Sequence, residues 1–289
     1  MTETIRPALL GGRWYPGTSK ECELFFSSTP DFTPKAPSQA VAAIIPHAGW
    51  VYSGAIAYAS LAALKQQQAE ADLVILFGGH LGPRHAPRLF MDNGWSTPFG
   101  TMSIARELAQ DIAMGIECDL ETAEEFYDDN ATEVQIPMLK SLWPNADALI
   151  VGIPPNDRAA SLGREILDLA KRRGYQRIVV VGSTDMTHYG PNYDFQPQGR
   201  GEVGLEWVKT KNDPLLIQQI QEMNTQQVMW IAQRHQNACC PGAINAAIAA
   251  GRDLGAVKGK LTQYTTSHDV RPDGQPTSFV GYAGFLLGR

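Results

Sequence analysis

Cysteine is scarce in this 289-residue sequence: Cys22, Cys118, Cys239 and Cys240 are the only four. Four cysteines in a chain of this length do not make a disulfide framework, and the adjacent pair Cys239-Cys240 is not a CxxC motif. Reduced thiols and a cytoplasmic location are therefore expected. Basic charge is also short. Lys plus Arg is 24 against 30 for Asp plus Glu, a formal charge of −6, with no basic run. This argues against a general nucleic-acid binder and gives no polybasic handle for a membrane surface. Long hydrophobic runs are missing too. The longest, residues 40–45 and 73–77, fall far short of the ~18 residues that a transmembrane helix needs. Residues 1–10 lack a charged start followed by an apolar run and a small-residue cleavage site, so no signal peptide is expected. Internal repeats and low-complexity tracts are absent. Gly11-Gly12 and Gly78-Gly79 do not extend to a phosphate-binding loop or a GxGxxG fingerprint, and there is no GxSxG elbow.

Apolar residues make up 44% of the chain and charged residues 19%, the balance of a folded protein with a large core. Short runs rich in Val and Ile, at residues 40–45, 73–77, 148–153, 177–181 and 279–287, predict buried strands. Helical patterns lie between them, at 54–64 (after Ser53 as N-cap), 104–113, 133–142, 158–173 and 215–234. A last one, 241–250, opens at Pro241 and stops at Gly251. Residues 27–38 carry Pro30, Pro34 and Pro37 and read as a loop between an N-terminal arm and the first strand. Strands alternating with helices predict an α/β fold in one domain, 1–289, with a largely parallel or mixed central sheet flanked by helices.

Three predicted strands end alike. One runs into Pro46-His47-Ala48-Gly49, one into Gly78-Gly79-His80, and one into Gly182-Ser183-Thr184-Asp185-Met186-Thr187-His188. Ligands of open α/β sheets bind beyond the carboxyl ends of the strands, so His47, His80, Asp185 and His188 are expected on one rim. His85, His235 and His268 lack that setting and are read as structural. Cys239 and Cys240 precede the helix that opens at Pro241, where free N–H groups favour a thiolate; either may equally be a small buried apolar residue. Two histidines and one anion, the Cys239 thiolate or the Asp185 carboxylate, make a non-haem iron(II) ligand set with open positions, leaving His188 for proton transfer. Zinc fits the same donors, and a metal-free Cys–His nucleophile is a further option. Glu133 either orients a metal-bound histidine or is a carboxylate favoured by a helix N-terminus. Trp14, Tyr15, Trp50 and Tyr189 are pocket or core aromatics, with Trp14 read as core.

These residues carry a resemblance. Arg6-Pro7-Ala8 with Trp14-Tyr15-Pro16, Pro46 to Trp50 with Tyr52-Ser53-Gly54, Gly182 to Gly190, Ala238-Cys239 with Gly242, and Phe279 to Ala283 occur in the order in which the MEMO family has its motifs. That family is known in prokaryotes as AmmeMemoRadiSam system protein B and is similar in fold to LigB-type class III extradiol dioxygenases. The resemblance runs nearly end to end. It implies metal ligation by His47, His80 and Cys239, rather than Cys240, with Asp185 and His188 beside them as catalytic residues. It implies ferrous iron, Fe(II), with copper or zinc as other occupants, and a small aromatic or phenolic substrate. It also implies either dioxygenase-type turnover or a redox, signalling or accessory role beside radical-SAM and AMMECR-type partners. Three departures stand out. Gly78-Gly79-His80 is one residue shorter than the family's G-P-S-H. Asn130 stands in place of a histidine, in a segment where Glu133 and Gln135 are retained. Cys240 stands where glycine is usual.

Overall fold

The Val- and Ile-rich runs become the centre of one mixed sheet. The computed structural model describes residues 4–30, 37, 39–126 and 128–289. Most of the expected proline-bearing loop, at 31–36 and 38, lies outside them, and its start belongs to the helix Ser19–Ser28. Among the described residues the sheet has nine strands. They are β1 (Ala42–Ile45), β2 (Leu73–Gly78), β3 (Arg88–Phe90), β4 (Asp119–Glu121), β5 (Asp147–Gly152), β6 (Ile178–Ser183), β7 (His188–Tyr189), β8 (Lys258–Thr266) and β9 (Phe279–Gly288). Their order is β7-β9-β1-β6-β2-β5-β3-β4, with β8 also paired to β9. The centre, β1-β6-β2-β5, is parallel, with Ile44 opposite Gly182 and Leu76 opposite Val181. β9 runs antiparallel to β1, and β3 antiparallel to β5, so the expected mixed α/β sheet flanked by helices is the observed one.

Alternation explains why the central strands read as unbroken apolar runs. Leu73, Ile75 and Phe77 face one core, and Val74 and Leu76 face the other. Both faces are covered, so the middles of these strands are apolar and polar residues stand at their ends. One core packs under the helices Arg106–Gly115, Ala159–Arg172, Asp213–Gln221, Thr225–His235 and Pro241–Asp253. The other packs under Ala55–Gln67 and Ile136–Leu142. Each large aliphatic side chain so buried contributes about 1.5–3 kcal/mol.

Several helix boundaries differ from the sequence expectation. The pattern at 54–64 is preceded by a wide helical turn, Trp50–Gly54, and Ser53 Oγ donates to Ala48 O instead of capping. The expected 133–142 helix is two pieces, Asn130–Glu133 and Ile136–Leu142. The 215–234 helix is also two, because Met223 adopts φ 56° and Asn224 caps a new start. The helix opening at Pro241 runs through Gly251 to Asp253; the residue that permits its end is Gly255, at φ 101°. β8 escaped the sequence pattern because its KGKLTQYTT run is only half-buried and largely polar.

Helices Ala159–Arg172 and Pro241–Asp253 meet backbone to backbone at Gly163, where an added Cβ would lie 2.3 Å from the Ala246 carbonyl oxygen. Gly163→Ala is therefore expected to cost about 1–3 kcal/mol by overpacking. Urea denaturation would show a lower midpoint at constant slope; an unchanged midpoint would contradict the close approach.

A small three-stranded sheet, Ile5–Arg6, Gly94–Trp95 and Met102–Ser103, ties the N-terminal arm to the body. Here the Arg6 guanidinium is buried, bonded to Glu121 at 2.8 Å and stacked among the rings of Phe90, Trp95 and Phe126.

Candidate metal centre

The carboxyl ends of β1, β2 and β6 deliver the expected side chains to one place. His47 follows β1 by two residues and is fully buried. His80 follows β2 through Gly79, whose φ of 90° suits glycine and whose missing Cβ leaves room against Gly152. Asp185 follows β6 by two residues. Cys239 comes from the loop before the Pro241–Asp253 helix, held by its N–H donating to Asp185 O at 3.3 Å.

The donor atoms converge. One ring nitrogen each of His47 and His80 and the sulfurs of Cys239 and Cys240 all lie within 4.8 Å of one another. His47 Nε2 is 3.2 Å from Cys239 Sγ, and the two imidazole centroids are 5.0 Å apart, nearly edge-on. Each imidazole is anchored through its other nitrogen. His47 Nδ1 is 3.0 Å from Ser183 Oγ, and His80 Nδ1 is 2.9 Å from Asp129 Oδ1. That leaves one nitrogen of each free for the centre, the arrangement that metal-binding histidines take when a carboxylate or hydroxyl orients them. Two imidazoles and a thiol so placed fit a borderline divalent cation.

The electrostatics agree with the geometry. Burial alone would raise the Cys239 thiol, but hydrogen bonds and charge from Cys240, His47 and His80 outweigh it and hold the thiol well below its ordinary value. Burial opposes charge on His80, yet the bonds to Asp129 and Cys239 push its pKa up to about 10. Burial raises the Asp185 carboxyl. Asp185 Oδ1 accepts from the His47 backbone N–H at 2.7 Å, so this carboxylate fixes the loop rather than standing among the converging donors.

The centre opens into a cavity of about 760 Å³. His47, His80, Asp185 and His188 all line it. The His188 ring packs edge-on against Tyr193 at 4.9 Å, and these two also border a second hollow of about 350 Å³ that reaches Cys239. Of the aromatics, Trp14 is the one that lines the cavity, 38% exposed, and so is not core as expected. Tyr15, Trp50 and Tyr189 are buried. Tyr52 and Tyr193 take the lining positions instead. His268, read as structural, is also in the wall.

Glu133 does not reach either histidine. Its Oε1 accepts from the Leu10 N–H at 2.6 Å and the Tyr15 hydroxyl at 3.0 Å, pinning the N-terminal arm. The carboxylate behind His80 is Asp129, which the sequence reading passed over; its position just before the short helix Asn130–Glu133 was the available signal. Asn130 Nδ2 donates to His47 O at 3.0 Å, and Gln135 Nε2 donates to Pro46 O at 2.7 Å, so both brace the His47 loop. Asp129→Asn is expected to weaken metal binding about 10–100-fold, as loss of an orienting carboxylate does. Chelator competition measures it; an affinity within about two-fold of the parent would remove Asp129 from this role.

Comparison with known proteins gives four results. A crystal structure of an uncharacterized Escherichia coli K12 protein, JW3007, shares 13% identity at a TM-score of 0.45, covering 86% of this chain and 99% of that one. A "MEMO1 family protein" of Nitrosopumilus maritimus is 32% identical over 96% of this chain and 98% of its own length. Another, of Methanococcoides burtonii, is 28% identical over 98% and 100%. The family profile described as Memo-like protein matches residues 6–286, nearly the whole sequence, and on that match the chain belongs to the Memo family.

Proposed function

We propose that His47, His80 and Cys239 hold a ferrous ion and that the protein activates O₂ on an aromatic or phenolic substrate bound in the cavity. The observation that carries this is the meeting of donors from three distant chain segments, with His47 and His80 in the wall of a 760 Å³ cavity and Cys239 in the wall of the smaller hollow beside it. Ferrous iron held by these three ligands would keep positions open for substrate and O₂ and would relay electrons from the substrate to O₂. Copper and zinc fit the same donors. The remaining steps belong to the chain. Trp14, Tyr52 and Tyr193 flank a flat ring. His188 takes the phenolic proton, with its imidazole held against Tyr193 and in the field of Asp185. Asp185 also holds the His47 loop in register, and both residues are buried. On the resemblance alone, we extend the proposal to a cytoplasmic role beside radical-SAM and AMMECR-type proteins. The four cysteines are all unpaired, which agrees with reducing surroundings, and no helix among the described residues is long and apolar enough to cross a membrane.

Metal analysis of protein purified without oxygen should find iron, and oxygen-electrode traces with a catechol panel should show substrate-driven uptake. His188→Ala is expected to keep the iron and lose about 100-fold or more in turnover. Full iron loading with no uptake on any substrate would refute turnover and leave a binding role. Hydrolysis with zinc bound and no oxygen demand would replace the proposal with a metal-bound-water mechanism.

A further inference from the structure

The fourth member of the donor cluster has no part in the proposal above. Cys240 is buried at 2% exposure, and its sulfur lies within 4.8 Å of the ligand atoms of His47, His80 and Cys239. It lines neither hollow, so it approaches the centre from the protein side rather than from the cavity. Its sulfur rests 3.4 Å from Gly79 O, on the loop that carries His80. That contact is one a weak S–H donor gives up readily. In a tetrahedral zinc site, bonds of about 2.3 Å to sulfur and 2.0–2.1 Å to nitrogen set donor separations of about 3.3–3.8 Å. The four atoms here lie within 4.8 Å of one another, and the His47–Cys239 separation is already 3.2 Å, so a small inward shift of the others completes the set.

We propose that Cys240 is a second thiolate donor for thiophilic cations, so that Zn²⁺ or Cu⁺ is held by a closed His47, His80, Cys239, Cys240 set while Fe²⁺ uses three donors. The Cys240 proton leaves to solvent as its sulfur joins the cation. A four-donor cation has no vacant position, whereas a three-donor ferrous ion does. Zinc is thereby an inhibitor of any chemistry at the cavity, and Cys240 is the residue that makes it one. The inference rests on the reading of His47, His80 and Cys239 as ligands.

The test uses the full chain, stripped of metal and loaded with Co²⁺ or Zn²⁺, so that it needs no substrate. Cys240→Ala is expected to keep cobalt and lose about half of the near-ultraviolet thiolate-to-cobalt absorption, whereas Cys239→Ser loses the ion and the absorption with it. Zinc affinity should fall about 100-fold or more in Cys240→Ala, since a direct donor costs at least what losing an orienting partner does, with ferrous affinity within about three-fold. Should Cys240→Ala fold poorly by near-ultraviolet circular dichroism, Cys240→Ser is measured in the same way. Unchanged cobalt absorption and zinc affinity, with cobalt still lost in His47→Ala, would overturn the second-thiolate assignment and leave the three-ligand centre standing. Cobalt retained in His47→Ala would overturn both.

Discussion

Cys239→Ser and His47→Ala are each expected to abolish stoichiometric metal binding, from about one ion per chain to none that survives gel filtration. The geometry leaves little redundancy. Cys239 supplies the thiolate nearest His47, at 3.2 Å, and receives the Asp185 N–H at 3.2 Å, so its sulfur is positioned as an acceptor at the middle of the cluster. Serine keeps the volume but offers a hydroxyl that stays protonated near neutral pH. His47 is fully buried and anchored by Ser183 and Asp185, so nothing else on that loop can replace its nitrogen. Cys22→Ser is the matched control, since its sulfur sits in the N-terminal helix against Pro16 O. Metal analysis with thermal melts in chelator reads the result: the parent melts lower without metal, and the two site variants show no further drop. Full occupancy in both variants would end the assignment.

Glu121→Leu is expected to destabilise the fold by about 3–5 kcal/mol, because it strips the counter-ion from a buried guanidinium. Arg6 is 2% exposed, and Glu121 binds it at 2.8 Å and Arg88 at 3.2 Å. Burial pulls the Arg6 pKa down, and Glu121 is its principal support. Three aromatic rings within 4.5 Å of the guanidinium carbon surround it but cannot neutralise it. Arg6→Met combined with Glu121→Leu should recover most of the loss, since a well-packed apolar pair carries no stranded charge. Chemical denaturation of the single and double variants decides it. A single variant that loses less than about 1 kcal/mol would show that the charge is shared with other carboxylates.

The central strands and the donors beyond them were legible in the sequence for the same reason. A parallel strand buried on both faces is a continuous apolar run, and its abrupt end in Gly, Pro and His is visible without coordinates. Hence His47, His80 and Asp185 could be placed on one rim. Proximity between distant loops left no such trace. Asp129 and Glu133 are both carboxylates beside one short helix, and only the path of the chain decides that the first meets His80 and the second meets Tyr15. The residues alone did not separate Cys239 from Cys240, and the entry to the Pro241–Asp253 helix brings both sulfurs into the cluster. Trp14 was misread because aromatic character suits core and cavity wall equally. The break at Met223 was hidden because the apolar spacing continues across it while one backbone angle does not.

The sulfur of Cys239 and the imidazole of His47 are 192 positions apart in the chain. An unfolded polypeptide cannot keep such ends together without a heavy loss of freedom. A cation bridging them therefore acts as a removable staple across two thirds of the molecule. At a concentration a thousand times its dissociation constant it adds about 4 kcal/mol. A domain's whole margin against unfolding is about 5–15 kcal/mol. Starving cells of the ion should thus show up as proteolytic disappearance of the polypeptide, not as an intact pool waiting to be filled.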